Sequence, residues 1–426
     1  MTGRLDADVL VVGAGPAGSS ASATLARRGL DVVVADRARF PRDKCCGDGL
    51  TTGALRRLER LGLEPRHVPS FTWVRGLSVL SPDGRLVDLP LDRGGSPAAA
   101  VARRTDLDAA LLALARSAGA TVLEHSSLEA LEVGHDGERP CRARLAGGTE
   151  VRSRYVVGAD GAWSTVRSLL GAAPRREASR AAGGWHAFRS YATTSALRSR
   201  ELLVVAFEPG LLPGYLWSFP VGAGAANVGI ALRRGPGTSG RALAAAWREA
   251  LASTFLTSLL GEGAALESPA RSWPIPDGID RVEVSDRSGR VLYAGDAAHA
   301  ADPFTGEGIA QALHTGTAAA EALAEGSRRD PGGAARRYAA EVRRTLAVEH
   351  RIGRALSSVA SRALGAEAIV RAAGVSASTR RAAGRWLFED VPRSLPLSPS
   401  TWRRGVLGAP APYVGSRTHA DAPPDP

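Results

Sequence analysis

The chain has 426 residues and a mass of 44.2 kDa, with 44% hydrophobic, 23% charged and 5% aromatic side chains. That length fits two or three domains with room to bury a large cofactor, and excludes a peptide hormone, a disulfide miniprotein or a disordered tail. A formal charge of +11 would point to nucleic acid or an anionic membrane, but the basic residues are scattered arginines with Lys44 the one lysine, so the balance reads as arginine bias with no nucleic-acid partner.

From the amino terminus, Val9 to Ala26 carries no charge and imitates a membrane span or a secretory segment. Glycines and Pro16 interrupt it, and Asp6 and Asp8 precede it where a signal peptide would be basic. Asp8–Val12 is instead a short β-branched run, expected as a buried parallel strand. Gly13-x-Gly15-x-x-Gly18 follows and opens a small-residue helix through Arg28, then comes a second strand, Asp31 to Ala35, ending at Asp36. Each position has a physical task. Gly13 allows the tight turn, Gly15 lets a pyrophosphate approach the backbone, and Gly18 lets helix and strand pack closely. The helix amino terminus, with Ala17 in its first turn, offers free N–H groups to phosphate, and Asp36, with Arg37 beside it, accepts from an adenosine ribose.

Cys45 and Cys46 come next, and with Cys141 they make neither a disulfide framework nor a metal-ligand spacing, which fits a reduced cytoplasmic setting. Tyr155–Gly158 is another buried strand that runs into Asp160 and a turn. Val291–Ala294 is a third, whose Asp296 can accept from a polyol hydroxyl. After it, Asp302-Pro303-Phe304-Thr305-Gly306-Glu307-Gly308-Ile309 opens a helix expected to run to about Glu325. Such a helix start places N–H groups against a flavin pyrimidine edge, where they would stabilise reduced flavin by roughly 0.3–2 kcal/mol.

These elements in this order resemble the FAD-dependent hydroxylase superfamily. Within it, Phe40-Pro41-Arg42-Asp43-Lys44-x-Cys46-Gly47-Asp48-Gly49-Leu50-Thr51, then Pro213-Gly214-Tyr215-x-Trp217-x-Phe219-Pro220 and the Asp302–Ile309 segment resemble the geranylgeranyl reductase family. The resemblance implies FAD as cofactor and reduction of isolated double bonds in a polyprenyl chain. It implies that Arg104 contacts FAD phosphate, and it puts the loop of Cys46 and Asp48 at the isoalloxazine. Saturating an unactivated alkene takes a hydride on one carbon and a proton on the other, in a dry pocket with an acid nearby. Cys46 is therefore a candidate proton donor, with loop packing as its alternative; Asp48 is a candidate acid or a loop-bonding one. Tyr215, Trp217 and Phe219 alternate along one strand and can line a hydrophobic tunnel or pack a core.

Three features keep rival readings open. Flavin halogenases use a lysine, so Lys44 invites that reading, although a salt bridge or loop contact explains it without halide chemistry. His299 stands where aromatic hydroxylases often carry histidine, and the glycine pair expected after Phe219-Pro220 is half present, as Gly229-Ile230-Ala231. The alternatives are an FAD monooxygenase or halogenase acting on an aromatic, terpenoid or polyketide compound, and, outside catalysis, a flavin-binding scaffold. The electron donor is open among NAD(P)H, ferredoxin and deazaflavin.

The fold class expected is α/β: a Rossmann-type FAD-binding domain (residues 1–70, 100–172 and 281–330) interleaved with an antiparallel-sheet substrate domain (71–99 and 173–280), then a helical carboxy-terminal region (331–426). In that region Tyr338, Val342 and Leu346 recur at four-residue spacing among arginines, as a helical cap on the substrate domain or as a basic face at the inner side of a membrane. A proline-rich tail from about Thr418 is expected to be disordered.

Overall fold

In the computed structural model, which describes residues 3–93, 96–134, 140–171, 184–233, 239–326 and 330–388, the apolar run after Asp8 is the inner end of a nine-residue strand, Arg4–Val12. Val9 to Val12 are all buried, which is why the run is continuous rather than alternating. Val32–Ala35 and Glu150–Gly158 flank it in parallel, and Thr121–Leu123 extends the sheet beyond Val32–Ala35. Glu150–Gly158 divides its outer edge. Its first half pairs antiparallel with Cys141–Leu145, and Val156–Gly158 pair parallel with Val291–Tyr293. Strands far apart in sequence thus end side by side, at Val12, Ala35, Gly158 and Tyr293. The crevice beyond such carboxyl ends is where open α/β sheets bind their ligands.

Helix Pro16–Arg27 crosses helix Ile309–Ala324 on this sheet, and small residues let them touch. A Cβ added at Gly316 would overlap the Ala17 carbonyl and the Ser20 hydroxyl. That close approach explains the Ala/Ser/Gly composition that imitated a membrane span. Among the described residues no helix is long and apolar enough to cross a membrane.

The second sheet runs in the order Arg271–Ile275, Trp185–Thr193, Ala225–Arg233, Tyr215–Pro220, Leu202–Ala206, Gly76–Leu80, Leu86–Pro90. It is antiparallel except for one parallel pair, Leu202–Ala206 with Gly76–Leu80. One face is closed by helices Gly240–Leu251 and Thr254–Leu260, whose Leu243, Trp247, Leu256 and Leu259 pack on Leu216, Val228 and Ile230. The alternate residues, among them Trp217, face the other way, toward the first sheet. A small sheet of Gly49–Leu50, Ala99–Val101 and Thr72–Val74 ties the Cys46 loop to both layers. We propose that the cofactor unit comprises 1–70, 100–172 and 281–330, with 71–99 and 173–280 as the substrate unit.

The carboxy-terminal helices divide their work. Pro331–Val342 docks on the nucleotide-side core, where Tyr338, Val342 and Leu346 are buried and the Tyr338 hydroxyl donates to the Tyr293 carbonyl at 2.6 Å. A strict four-residue stripe drifts off one face of a 3.6-residue helix, and here a π-turn at Arg343–Ala347 loosens the winding. The substrate sheet is capped further along, by Ala363–Gly374 and Ala377–Phe388, which lie over Val87 and Pro90. The expected disordered tail lies outside the described residues.

Candidate active site

Between the two sheets lies a cavity of about 1220 Å³. The glycine turn forms one end of it. Gly13 takes a left-handed φ of +99°, and a Cβ there would overlap the Ala159 carbonyl; Gly18 has no room for a Cβ because the Gly13 carbonyl occupies that place. Helix Pro16–Arg27 begins with Gly15 and has no side-chain cap, so its amino-terminal N–H groups open onto the cavity. Asp36 accepts from the backbone N–H of Ala14 at 2.7 Å and of Ala38 at 2.8 Å, so it holds the glycine turn as well as facing the nucleotide end. Arg37 beside it is exposed and lines the same end.

Arg104 is buried at the first turn of helix Arg104–Ser117 and grips Asp108 through two hydrogen bonds of 2.7 and 2.6 Å. Burial works against both charges, but their mutual attraction, joined by Arg42 at 2.8 Å from Asp108, outweighs it. Asp108 is held below the usual carboxylate range and Arg104 above the usual guanidinium range. Asp160 receives the Ser164 hydroxyl and the N–H groups of Thr165 and Val166, capping helix Thr165–Leu169. Lys44 donates to Asp296 at 2.7 Å, the salt bridge anticipated for that lysine. Gly306, at φ +71°, Gly308 and Ile309 lead into helix Ile309–Ala324, whose amino terminus has no side-chain cap from Gly308. Of the cofactor-side candidates, Gly13, Gly15, Ala17, Asp36, Arg37, Arg104, Asp160, Asp296, Gly306, Gly308 and Ile309 all line the cavity. Gly18 and Pro303 stand behind its wall, Gly18 as a packing position and Pro303 buried in the turn.

Another wall of the cavity is built by the loop after Phe40. Cys46 and Asp48 both line the cavity, as do Tyr215, Trp217 and Phe219, whose rings follow one another at 6.1 and 6.5 Å. Burial pushes the Cys46 thiol up, against the pull of Arg104. Cys45 is pushed up to about 12 by burial, and its thiol donates to the Arg271 carbonyl at 3.4 Å. All three cysteines are free. Asp48 is fully buried at a left-handed φ of +64°; it accepts from Tyr191 Oη at 2.6 Å and Asn227 Nδ2 at 2.8 Å through Oδ2, while Oδ1 has no hydrogen-bond partner. Burial raises its carboxyl to about 6, opposed chiefly by Arg189. The glycine at 229 makes space, since a Cβ there would overlap the Trp217 indole and the Phe188 carbonyl. Ala231, in the place of the second expected glycine, is buried against Trp217 and Trp185. His299 is buried and lies outside the cavity lining; burial and then Arg167 lower it to about 4, so it is neutral at physiological pH.

Comparison with known proteins meets this geometry. A family model described as an FAD binding domain matches residues 6–348. A menaquinone reductase of Mycobacterium tuberculosis (strain ATCC 25618 / H37Rv) is 37% identical over 330 residues, covering 74% of this chain and 76% of that one. The chain is a flavoenzyme of the geranylgeranyl reductase family. A digeranylgeranylglycerophospholipid reductase 2 of Methanococcoides burtonii is 29% identical over 325 residues, 76% of each chain. A solved geranylgeranyl bacteriochlorophyll reductase-like protein of Thermoplasma acidophilum has the same fold, with a TM-score of 0.75 at 21% identity over 93% of this chain and 100% of that one. FAD fits the residues present. The turn at Gly13 and Gly18 has no room for side chains, an uncapped helix start faces the cavity, and a second helix start closes the other end.

The flavoenzyme's site also contains residues that the sequence reading passed over. Tyr191, Asn227 and Arg189 hold the Cys46 loop from the opposite sheet, Arg189 by donating to Asp43 at 2.5 Å and to the Lys44 carbonyl at 2.8 Å. Glu307 lines the cavity and is raised to about 7 by burial. A lone polar residue inside an apolar strand, as in Ala225-Ala226-Asn227-Val228, was the available signal for Asn227.

Proposed function

We propose that this flavoenzyme saturates carbon–carbon double bonds of a polyprenyl chain carried by a lipid or quinone. The observation behind the proposal is the character of the cavity beyond the flavin end. Leu77, Val79, Val87, Leu89, Val205 and Val370 make a channel of aliphatic walls, which suits an isoprenoid and excludes water. Two relatives named for menaquinone and for digeranylgeranylglycerophospholipid reduction support the same class.

Bound between the glycine turn and the start of helix Ile309–Ala324, reduced FAD would supply the hydride. The chain supplies the proton. Cys46, kept as a neutral thiol by burial, gives its proton to the alkene carbon opposite the one that gains hydride; the sulfur is left as thiolate, eased by the cation of Arg104 and the Asp48 N–H. Asp48, close to its titration point near neutrality, is the neighbouring acid that can return a proton to the sulfur. Trp217, Tyr215 and Phe219 hold the alkene against the reacting face. Lys44, on which the halogenase reading rests, is tied to Asp296.

Dithionite-reduced enzyme mixed anaerobically with a geranylgeranyl compound should reoxidise and yield a product about two mass units heavier per bond saturated, the gain of one hydride and one proton. No reoxidation across a prenyl panel would overturn the proposal, and a product gaining oxygen only in air would favour the monooxygenase. Cys46→Ala should keep FAD and lose at least about tenfold in turnover, the lower range for a general acid. The same panel, run with NAD(P)H, ferredoxin or deazaflavin instead of dithionite, identifies the donor. We further propose peripheral contact with a membrane through the carboxy-terminal helices, because that is where the lipid substrate resides.

A further inference from the structure

We propose that Asn227 is a positioning residue that holds the Cys46 loop, the Asp48 carboxylate and the Trp217 indole in one fixed arrangement. The register of the substrate sheet sets the geometry. Tyr191 stands opposite Asn227, which stands opposite Phe219; one row along, Arg189 stands opposite Gly229, which stands opposite Trp217. Directly opposed residues share a face, so these two rows form a grid turned toward the loop. Asn227 occupies its centre and is completely buried.

Every polar hydrogen of its amide is used, and on a different partner. Nδ2 donates to the Cys46 carbonyl at 2.7 Å and to Asp48 Oδ2 at 2.8 Å; Oδ1 accepts from the Trp217 Nε1–H at 2.9 Å. The partners themselves fix which end is which. An indole N–H only donates, whereas a carbonyl and a carboxylate only accept, so the flipped amide would lose all three bonds. The loop it grips is one that would not rest there unaided. Asp48 is a non-glycine residue in the left-handed region, and Gly47 and Gly49 on either side lie flat against the Phe219 ring, with only 3.3 and 3.5 Å left for an added Cβ. Removing the amide leaves three buried polar groups, the Cys46 carbonyl, Asp48 Oδ2 and Trp217 Nε1, each short of a partner. The position of the Cys46 sulfur relative to the aromatic face then loses its anchor.

Two substitutions that keep the branching of the four side-chain heavy atoms test positioning, and Asn227→Ser, below, tests it without added bulk. Asn227→Asp keeps the acceptor for Trp217 but faces a second carboxylate at Asp48, whose charge raises the titration of the pair so that the last proton leaves only at high pH. With a prenyl substrate, its kcat should fall at least about tenfold at pH 8 and recover several-fold toward pH 5.5, as a shared proton restores a donor; KM should stay within about twofold. Asn227→Leu should be low at every pH. A second readout stands apart from turnover, so that failure of the prenyl-reductase reading does not hide the result. In the resting FAD-loaded enzyme, alkylation of Cys46 by iodoacetamide, followed by mass spectrometry of its peptide, should quicken several-fold in Asn227→Leu. Should that variant lose its FAD absorbance, Asn227→Ser carries the same labelling test. An Asn227→Asp pH profile matching the parent, or Cys46 labelling unchanged in the Leu or Ser variant, would overturn the proposal.

Discussion

Asp48, proposed above as an acid of the reaction, is a side chain whose activity would come at the expense of stability. Its folded carboxyl titrates near 6, above the ordinary 3.8, so the folded state binds a proton more tightly than the unfolded chain. The contribution of the neutral form is complete below about pH 4 and is lost as pH rises through 6. Asp48→Asn keeps an acceptor for Tyr191 and Asn227 without the buried charge. Its melting temperature should exceed the parent's by several degrees at pH 8 and match it at pH 4, while turnover falls. A thermal melt of the FAD-loaded protein at both pH values checks this; a gain of equal size at both would show that desolvated charge is not the cause. At this scale the sequence was informative where chemistry coincides with an unusual residue type. The glycines stood out through the turn and close packing they allow, and Cys46 and Asp48 as candidates through the resemblance of their loop, whereas Tyr191 and Arg189 sit in an ordinary strand and meet the loop only where the fold sets that strand against it.

Elements were legible where their pattern is local. The buried strand before Gly13 and the helix after Ile309 follow from continuous apolar runs and glycine punctuation. What local pattern does not carry is which layer an amphipathic helix meets. The stripe of Tyr338, Val342 and Leu346 indicates a docked helix, yet it fits the nucleotide side, while the helices that cap the substrate sheet begin only at Ala363. Those later helices wall the far part of the cavity with Ile369, Val370, Ala373 and Leu387, and on the proposed function they would bear on substrate length. Val370→Trp would fill the channel beside Val87 and Leu89 without touching Cys46 or the glycine turn. The expected outcome is a kcat/KM for a geranylgeranyl substrate lowered about tenfold or more relative to a single prenyl unit, as steric loss of a few methylenes' binding requires. Equal effects on long and short substrates would place the chain elsewhere.

At the scale of the whole molecule, the positive balance takes on a location. Both ends of helix Ala363–Gly374 show large apolar side chains to solvent: Leu364 in its first turn at 79% exposure with Val359 at the end of the preceding helix at 50%, and Val375 just past its other end at 74%. Arg351, Arg362, Arg371, Arg380 and Arg381 are exposed on the same stretch, against the acids Glu349 and Glu367. Apolar tips among arginines, on helices whose inner faces line the cavity proposed to take a lipid, are the pairing that an anionic bilayer surface would recognise. The full chain should float with vesicles containing anionic lipid, and much less with zwitterionic ones. Raising the salt should weaken capture without abolishing it, because screening removes the arginine contribution and leaves the apolar one. Leu364→Glu combined with Val375→Glu should release the protein while its FAD absorbance and its turnover on detergent-dispersed substrate stay intact. Flotation unchanged by that double substitution would move the contact off these helix ends, and no flotation of the full chain would leave the arginines as bias alone.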